Sequence, residues 1–326
     1  MRRAVALIFC SLASTSLAGE FHLQPPIDCP LGEDQRCFIQ QYVDRDSGPG
    51  ATDYRCETLS YDGHKGTDFA LRSLDEVAKG VPVIAAAPGR VRATRDGLPD
   101  QLLTAQNEHQ IEGKECGNGV VITHENGWET QYCHLRRGSI TVRNGQTVDA
   151  GTQIGLVGLS GRTQFPHVHL SVRKDGQPID PFAPDATSCS ITRPAEDLWI
   201  KTPDYQPGGI ISAGFSTQIP DYDAVKQGRA GIDELRLDSP ALVLWGHVFG
   251  SRPGDTLRLS ITGPDGATVI EKDLALEKAQ AQLFRAIGRK TGGASWFGPG
   301  QYRGDVALIR DGTVISDTTI QLQVAR

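Results

Sequence analysis

The sequence predicts a mainly β protein, a small antiparallel β domain followed by a β-sandwich of the immunoglobulin-like kind. Two observations predict it. From Tyr61 to Pro184, runs of four to nine residues rich in Val, Ile and Ala lie between Gly- and Pro-containing breakers, the pattern of short strands joined by turns. Past a Pro- and Gly-rich stretch at 191–209 the pattern resumes, with Leu257, Leu259 and Ile261 alternating with Arg258 and Ser260 so that one face is apolar.

Taken in order, Met1 to Ala18 reads as a secretory signal peptide: Arg2 and Arg3, a short apolar run, then Ser16-Leu17-Ala18 before Gly19. The run is too short to span a bilayer, and no later segment is apolar for long enough to do so. Residues 19–60 carry Pro25, Pro26, Pro30 and Pro49 with little periodicity and read as a disulfide-held arm. It wraps the core as structural packing, an inhibitory cover over a groove being the alternative. Residues 61–190 form the first folded domain, 191–209 the linker and 210–326 the sandwich.

Inside the first domain, Gly119 to His124 and Trp128 to His134 flank the turn Glu125-Asn126-Gly127 and read as a hairpin. Leu74 to Lys79 has room for one helical turn. The polar stretch from Gly97 to Glu115 is longer than a hairpin connection requires and is expected to wall a groove. In the sandwich, Glu271 to Phe284 is expected to be partly helical, and Trp245 and Trp296 to anchor the core.

Seven cysteines, less Cys10 in the signal segment, leave six with no Cys-x-x-Cys spacing, which favours disulfides over a metal site. The pairing expected from the hairpin is Cys116 with Cys133. Cys29 with Cys37 would close a short loop, and Cys56 with Cys189 would tie the domain's entry to its exit. The formal charge of −6, without a basic patch interleaved with aromatics, excludes an obvious nucleic-acid binder.

The chemistry centres on Asp62 to Leu71. His64 and Asp68 are four residues apart, and Gly63 and Gly66 oppose a helix between them, so in an extended segment both side chains share one face. An imidazole and a carboxylate are two of the ligand types that zinc takes. About a hundred residues later, His167 and His169 alternate with Val168, Leu170 and Val172, placing both rings opposite the aliphatic face of a strand. His134 ends another strand-like run, with Tyr132 two residues earlier and therefore expected on the same face. His22, His109, His124 and His247 have no partner signature.

Gly63-His64-Lys65-Gly66-Thr67-Asp68, then Tyr132-Cys133-His134-Leu135, then Pro166-His167-Val168-His169 resemble in order the three signature segments of the lysostaphin/LytM-type zinc endopeptidases that cut peptidoglycan peptides. The likeness covers about Tyr61 to Phe182, including Val142 to Gly158, Ser160-Gly161-Arg162-Thr163 and Asp180-Pro181. It implies a small antiparallel β fold of the duplicated hybrid motif kind, with one zinc ion held by His64, Asp68 and His169. His134 and His167 match the family's two non-ligand catalytic histidines, one to move protons and one to hydrogen-bond the developing oxyanion, in an order that spacing does not decide. Tyr132 is a candidate for supporting the transition state. Phe165 and Val168 depart from the family's usual Gly and Leu, which leaves the ligands unchanged and bears on the fit of substrate.

Three protein ligands leave one coordination position open, as in catalytic rather than structural sites. The expectation is an exported zinc metallo-endopeptidase of the periplasm or extracellular space, acting on peptidoglycan cross-links or stem peptides. The alternatives are a zinc-binding regulator that activates cell-wall amidases without cutting, and a wall-binding adaptor. D-Ala–diaminopimelate bonds and glycine bridges both remain open as targets.

Overall fold

The structure, a computed structural model, describes residues 20–32, 36–192, 196–291 and 296–325. The expected signal segment lies outside them. The first half contains β1 (Cys37–Gln41), β2 (Thr67–Leu71), α1 (Leu74–Lys79), β3 (Pro82–Ile84), β4 (Gly89–Arg95), β5 (Asn118–Thr123), β6 (Trp128–Leu135), β7 (Thr147–Val148), β8 (Gln153–Leu156), β9 (His167–Lys174) and β10 (Gln177–Ile179). Seven of these strands form an antiparallel sheet in the order β1-β2-β9-β6-β5-β4-β7, with β10 added to β9, while β3 pairs with β8.

Alternation in the central strands explains why the sheet forms. Phe69, Val120, Ile122, Tyr132, Val168, Leu170 and Val172 are all buried in one apolar core. The opposite face of β2 and β9 carries Asp68, Ala70, His167, His169 and Ser171. The arm is part of this structure: β1 pairs with β2, and Leu23, Ile27, Phe38, Ile39 and Tyr42 join the core. Disulfides join Cys29 to Cys37, Cys56 to Cys189 and Cys116 to Cys133.

The second half contains β11 (Gly209–Ser216), α2 (Tyr222–Gln227), β12 (Glu234–Arg236), β13 (Ala241–Ser251), β14 (Thr256–Thr262), β15 (Thr268–Ala275), β16 (Gln280–Lys290), β17 (Gly300–Arg310) and β18 (Thr313–Ala325). One sheet runs β11-β13-β16 and the other β12-β18-β17-β14-β15. Between them Leu244, Val248, Leu257, Leu259, Ile261, Val306 and Leu308 make a second core. The helical expectation for 271–284 is corrected here, because Glu271 to Ala275 extends β15 along β14 and Gln280 to Phe284 opens β16 along β13. Ladder pairing with those strands outweighs a local preference worth only tenths of a kcal/mol per residue, roughly, for Glu, Lys, Ala and Gln.

Trp245 is buried against Val225 and Ala230, and Gly214 permits it: a Cβ there would lie 2.4 Å from the indole. Trp296 is partly buried, with the Arg289 guanidinium 4.7 Å from its ring centre.

The two halves are tied by specific polar contacts. Arg72 donates from Nη1 to the carbonyls of Ile210 and Ile211 at 2.8 and 2.7 Å. Arg229 grips Asp75 through two nitrogens, Arg252 pairs with Glu57, and Gln282 Nε2 donates to Gln40 Oε1 at 2.7 Å.

Asp180 is buried; its Oδ1 accepts the Phe182 N–H at 2.9 Å, and Oδ2 has no hydrogen-bond partner among the described residues. Burial pushes its pKa up to about 6 from 3.8. The folded state therefore holds this proton more tightly than the unfolded chain, and the group's contribution to stability falls as pH rises from about 4 to about 6. Asp180→Asn keeps the Oδ1 acceptor and removes the titration. The wild-type-minus-variant unfolding free energy, from urea titrations, should decline across that window; a flat difference would reject burial as the cause.

Candidate metal centre and active site

Each site residue is placed by a distinct local device. Asp62 and Gly63 occupy the centre of a turn closed by His64 N–H to the Tyr61 carbonyl, with Gly63 at φ 74°, a left-handed conformation that favours glycine. The arm then holds His64 from both sides. Tyr42 O accepts from its Nδ1 at 2.7 Å, Asp44 N–H donates to its carbonyl, and Asp44 Oδ2 accepts the Gly63 N–H. Asp68 lies on β2 directly opposite His169 on β9, and Ala70 opposite His167, so Asp68, His167 and His169 share a face.

Three ring nitrogens converge on one carboxylate oxygen. Asp68 Oδ1 is 2.9 Å from His169 Nδ1, 3.2 Å from His64 Nε2 and 3.5 Å from His167 Nε2. His64 Nε2 and His169 Nδ1 are themselves 3.1 Å apart. Candidate ligand atoms of His64, Asp68 and His169 lie within 4.8 Å of one another, and the three residues form the cluster able to hold a metal among the described residues.

The donor set demands a cation. A carbonyl can only accept, so Tyr42 O puts the His64 proton on Nδ1 and leaves a lone pair on Nε2. His169 Nε2 lies 3.0 Å from Ser171 Oγ, and a proton shared there turns the Nδ1 lone pair toward Asp68. Two lone pairs and a carboxylate facing each other in a buried site repel unless positive charge lies between them. The electrostatics show the same demand. Burial works against a charged His64, but the Asp68 carboxylate outweighs it and raises the imidazole pKa. Burial also pulls Asp68 upward, yet His64 and His167 hold it well below the usual carboxylate range. Two imidazoles and a carboxylate at this spacing fit zinc.

Gly66 makes the approach possible, because a Cβ there would lie 2.5 Å from His169 Nε2 and 2.7 Å from Leu170 O. Gly66→Ala should displace the His169 ring while leaving the cores intact. We expect zinc affinity to fall roughly ten- to a hundredfold, the range for disturbed ligand support, with an unchanged far-ultraviolet circular dichroism spectrum. Unaltered affinity in a competition titration with a chromogenic chelator would refute this role.

His134 and His167 stand beside this cluster with ring centres 4.6 Å apart. His134 Nδ1 donates to Ser160 O at 2.8 Å, and His167 Nδ1 donates to Phe165 O at 2.9 Å with Thr163 Oγ1 at 3.1 Å. Each therefore keeps a lone pair on Nε2. Burial, reinforced by the other imidazoles, holds His134 well below its ordinary pKa, and burial also lowers His167. Phe165 stacks on His167 at 4.3 Å.

Tyr132 is corrected. It pairs with Leu170 and is fully buried on the core face, its hydroxyl accepting from Ala86 N–H at 2.7 Å and from Thr130 Oγ1 at 3.0 Å. The expectation assumed unbroken alternation. His134 has φ 64°, and the β5–β6 register shifts between Asn118 and Val120, which turns its ring to the face opposite Tyr132. His109 and His22 are exposed, whereas His124 bonds Pro88 O and Thr130 away from the site.

A cleft of about 930 Å³ opens over Asp68, His134 and His167. Leu102, Leu103 and Thr104 of the long polar loop line it, as expected of that stretch. Sequence reasoning missed the carbonyls of Tyr42, Ser160 and Phe165, and it used Gly66 only as a helix breaker.

Residues 62–181 match the model of peptidase family M23. This segment belongs to that family. The M23 segment accounts for the similarity to Peptidoglycan DD-endopeptidase ShyA of Vibrio cholerae, 36% identical over 117 residues, 36% of this chain and 22% of the relative. DD-carboxypeptidase/endopeptidase Mpg of Neisseria meningitidis is 34% identical over 122 residues, 37% of this chain and 22% of the relative. Among solved structures, the catalytic domain of the prophage-encoded M23 protein EnpA from Enterococcus faecalis matches at a TM-score of 0.32 and 22% identity, covering 51% of this chain and 98% of that one. The chain spans about a fifth of the length of the curated relatives it matches.

Proposed function

We propose that the protein is an exported, zinc-dependent endopeptidase that hydrolyses peptide bonds in peptidoglycan cross-links or stem peptides. The observation that carries this reading is the convergence of His64, Asp68 and His169 beside two further imidazoles that keep free lone pairs at the floor of a cleft. M23 membership and the relatives' names support the reaction class and the substrate. The three disulfides support export to an oxidising compartment, and no described helix is long and apolar enough to cross a membrane.

Zinc held by His64, Asp68 and His169 would supply Lewis acidity, lowering the pKa of water and polarising a carbonyl. The chain's own groups do the rest. His134 and His167 are held neutral by burial and oriented by Ser160 O and Phe165 O, so an Nε2 lone pair is ready to take a proton from the attacking water. The imidazolium so formed returns that proton to the leaving amine, and the second imidazole, where it enters the cycle protonated on Nε2, donates that N–H to the developing oxyanion and keeps it.

The test is digestion of purified sacculi followed by mass spectrometry of the released muropeptides, with and without chelation and zinc restoration. New termini at a single peptide linkage, lost on chelation and regained with zinc, are the expected result. Retained zinc without turnover, together with stimulation of an amidase, would overturn the reading in favour of a regulator.

A further inference from the structure

The M23 segment builds only one side of the cleft. The other side comes from the C-terminal sandwich: Tyr222, Asp223 and Lys226 of α2, and Gln280 to Gln282 at the start of β16, line the same space as Asp68, His134 and His167. This wall is anchored, because Gln282 bonds Gln40 on β1, Arg229 just beyond α2 grips Asp75 on α1, and Arg72 after β2 caps two carbonyls of β11.

We propose that Lys226 is a specificity-determining residue whose ammonium group binds a carboxylate of the peptide lying in this cleft. The proposal rests on the endopeptidase reading and adds what the second wall selects. Lys226 is the cation that the sandwich presents to the cleft among the described residues. Its Nζ lies over the Tyr222 ring, 5.0 Å from the ring centre, so its position is defined by an aromatic platform. Its ion-pair partner is Asp223, at 2.8 Å and 81% exposed, while the Lys226 side chain is 25% exposed. A pair with one partner this open to solvent holds weakly, so Nζ can exchange it for a ligand carboxylate at little cost. The neighbouring cleft residues Gln41 and Gln280 offer amides suited to peptide N–H and C=O groups.

The experiment uses the full chain with zinc and two synthetic cross-linked peptide dimers, one with free side-chain and terminal carboxylates and one with these amidated. Hydrolysis gives kcat and KM, and fluorescence anisotropy of labelled dimers on the wild type and on Lys226→Gln and Lys226→Glu gives binding without turnover. For the acid dimer, Lys226→Gln should raise KM and weaken binding roughly tenfold, as for loss of one charge-assisted hydrogen bond, with the effect falling on KM rather than kcat. Lys226→Glu should weaken it further, and the amidated dimer should bind all three proteins alike. Equal losses on both dimers, or none on either, would overturn the assignment. Should the wild type cut neither dimer, the endopeptidase reading fails, and the anisotropy series still decides the role of Lys226.

Discussion

His169→Ala should lose zinc and muropeptide release together, whereas His134→Ala should keep zinc and lose release alone. His169 supplies Nδ1 to the cluster at 2.9 Å from Asp68 Oδ1, and its removal leaves two donors where three converge. His134 is not among the three clustered ligand residues; its imidazole is held by Ser160 O and faces His167. The first variant should therefore fall to background. The second should fall roughly a hundred- to ten-thousandfold, the usual range for one positioned acid–base group. Zinc content by atomic absorption, measured with release of muropeptides, separates the two. If His134→Ala also loses zinc, the division between ligand and proton-transfer residue is wrong.

Arg310→Ala should cost the protein about 3–5 kcal/mol of stability, the range for removing one partner of a buried ion pair. The Arg310 side chain is 6% exposed and Asp255 is 1% exposed. Two parallel bonds of 2.8 and 2.7 Å join them, and two of the three remaining guanidinium hydrogens go to Pro207 O and Gly250 O. Alanine leaves a carboxylate in the interior with no counter-charge. The double replacement Arg310→Met with Asp255→Leu removes both charges and should recover most of the loss. Urea midpoints of the three proteins test this; an Arg310→Ala midpoint within error of the wild type would mean that solvent reaches Asp255.

Much of the site was legible because its residues interrupt apolar alternation. His167 and His169 stand where β9 should carry solvent-facing residues, yet His167 is buried and His169 is mostly so, and Asp68 faces them across the ladder. Tyr132 was misplaced because alternation was counted through a residue with left-handed backbone, and nothing in a histidine's side chain announces that conformation. The supports contributed by Tyr42, Ser160 and Phe165 are main-chain oxygens, which leave no mark on the sequence. The family resemblance supplied the roles of the imidazoles, which periodicity could not.

In the second half, β14 was readable from its strict period of two, but β15 and the start of β16 were not. Both are largely exposed along 271–284, so no apolar stripe records their pleat, and Glu, Lys, Ala and Gln there favour a helix locally. β11 escaped notice because it follows a Pro- and Gly-rich stretch and contains Gly209 and Gly214. What fixes these strands is pairing with β13 and β14, information that is distant in the chain.

The division of the cleft between chain segments sets an order of completion. The metal cluster closes with His169, and the covalent tie from Cys56 to Cys189 needs only twenty more residues. Gln282, which braces the far side, emerges almost a hundred residues after that. A nascent or clipped polypeptide that stops short of Gln282 can thus hold all three residues of the cluster beside a cleft that is walled on one side alone.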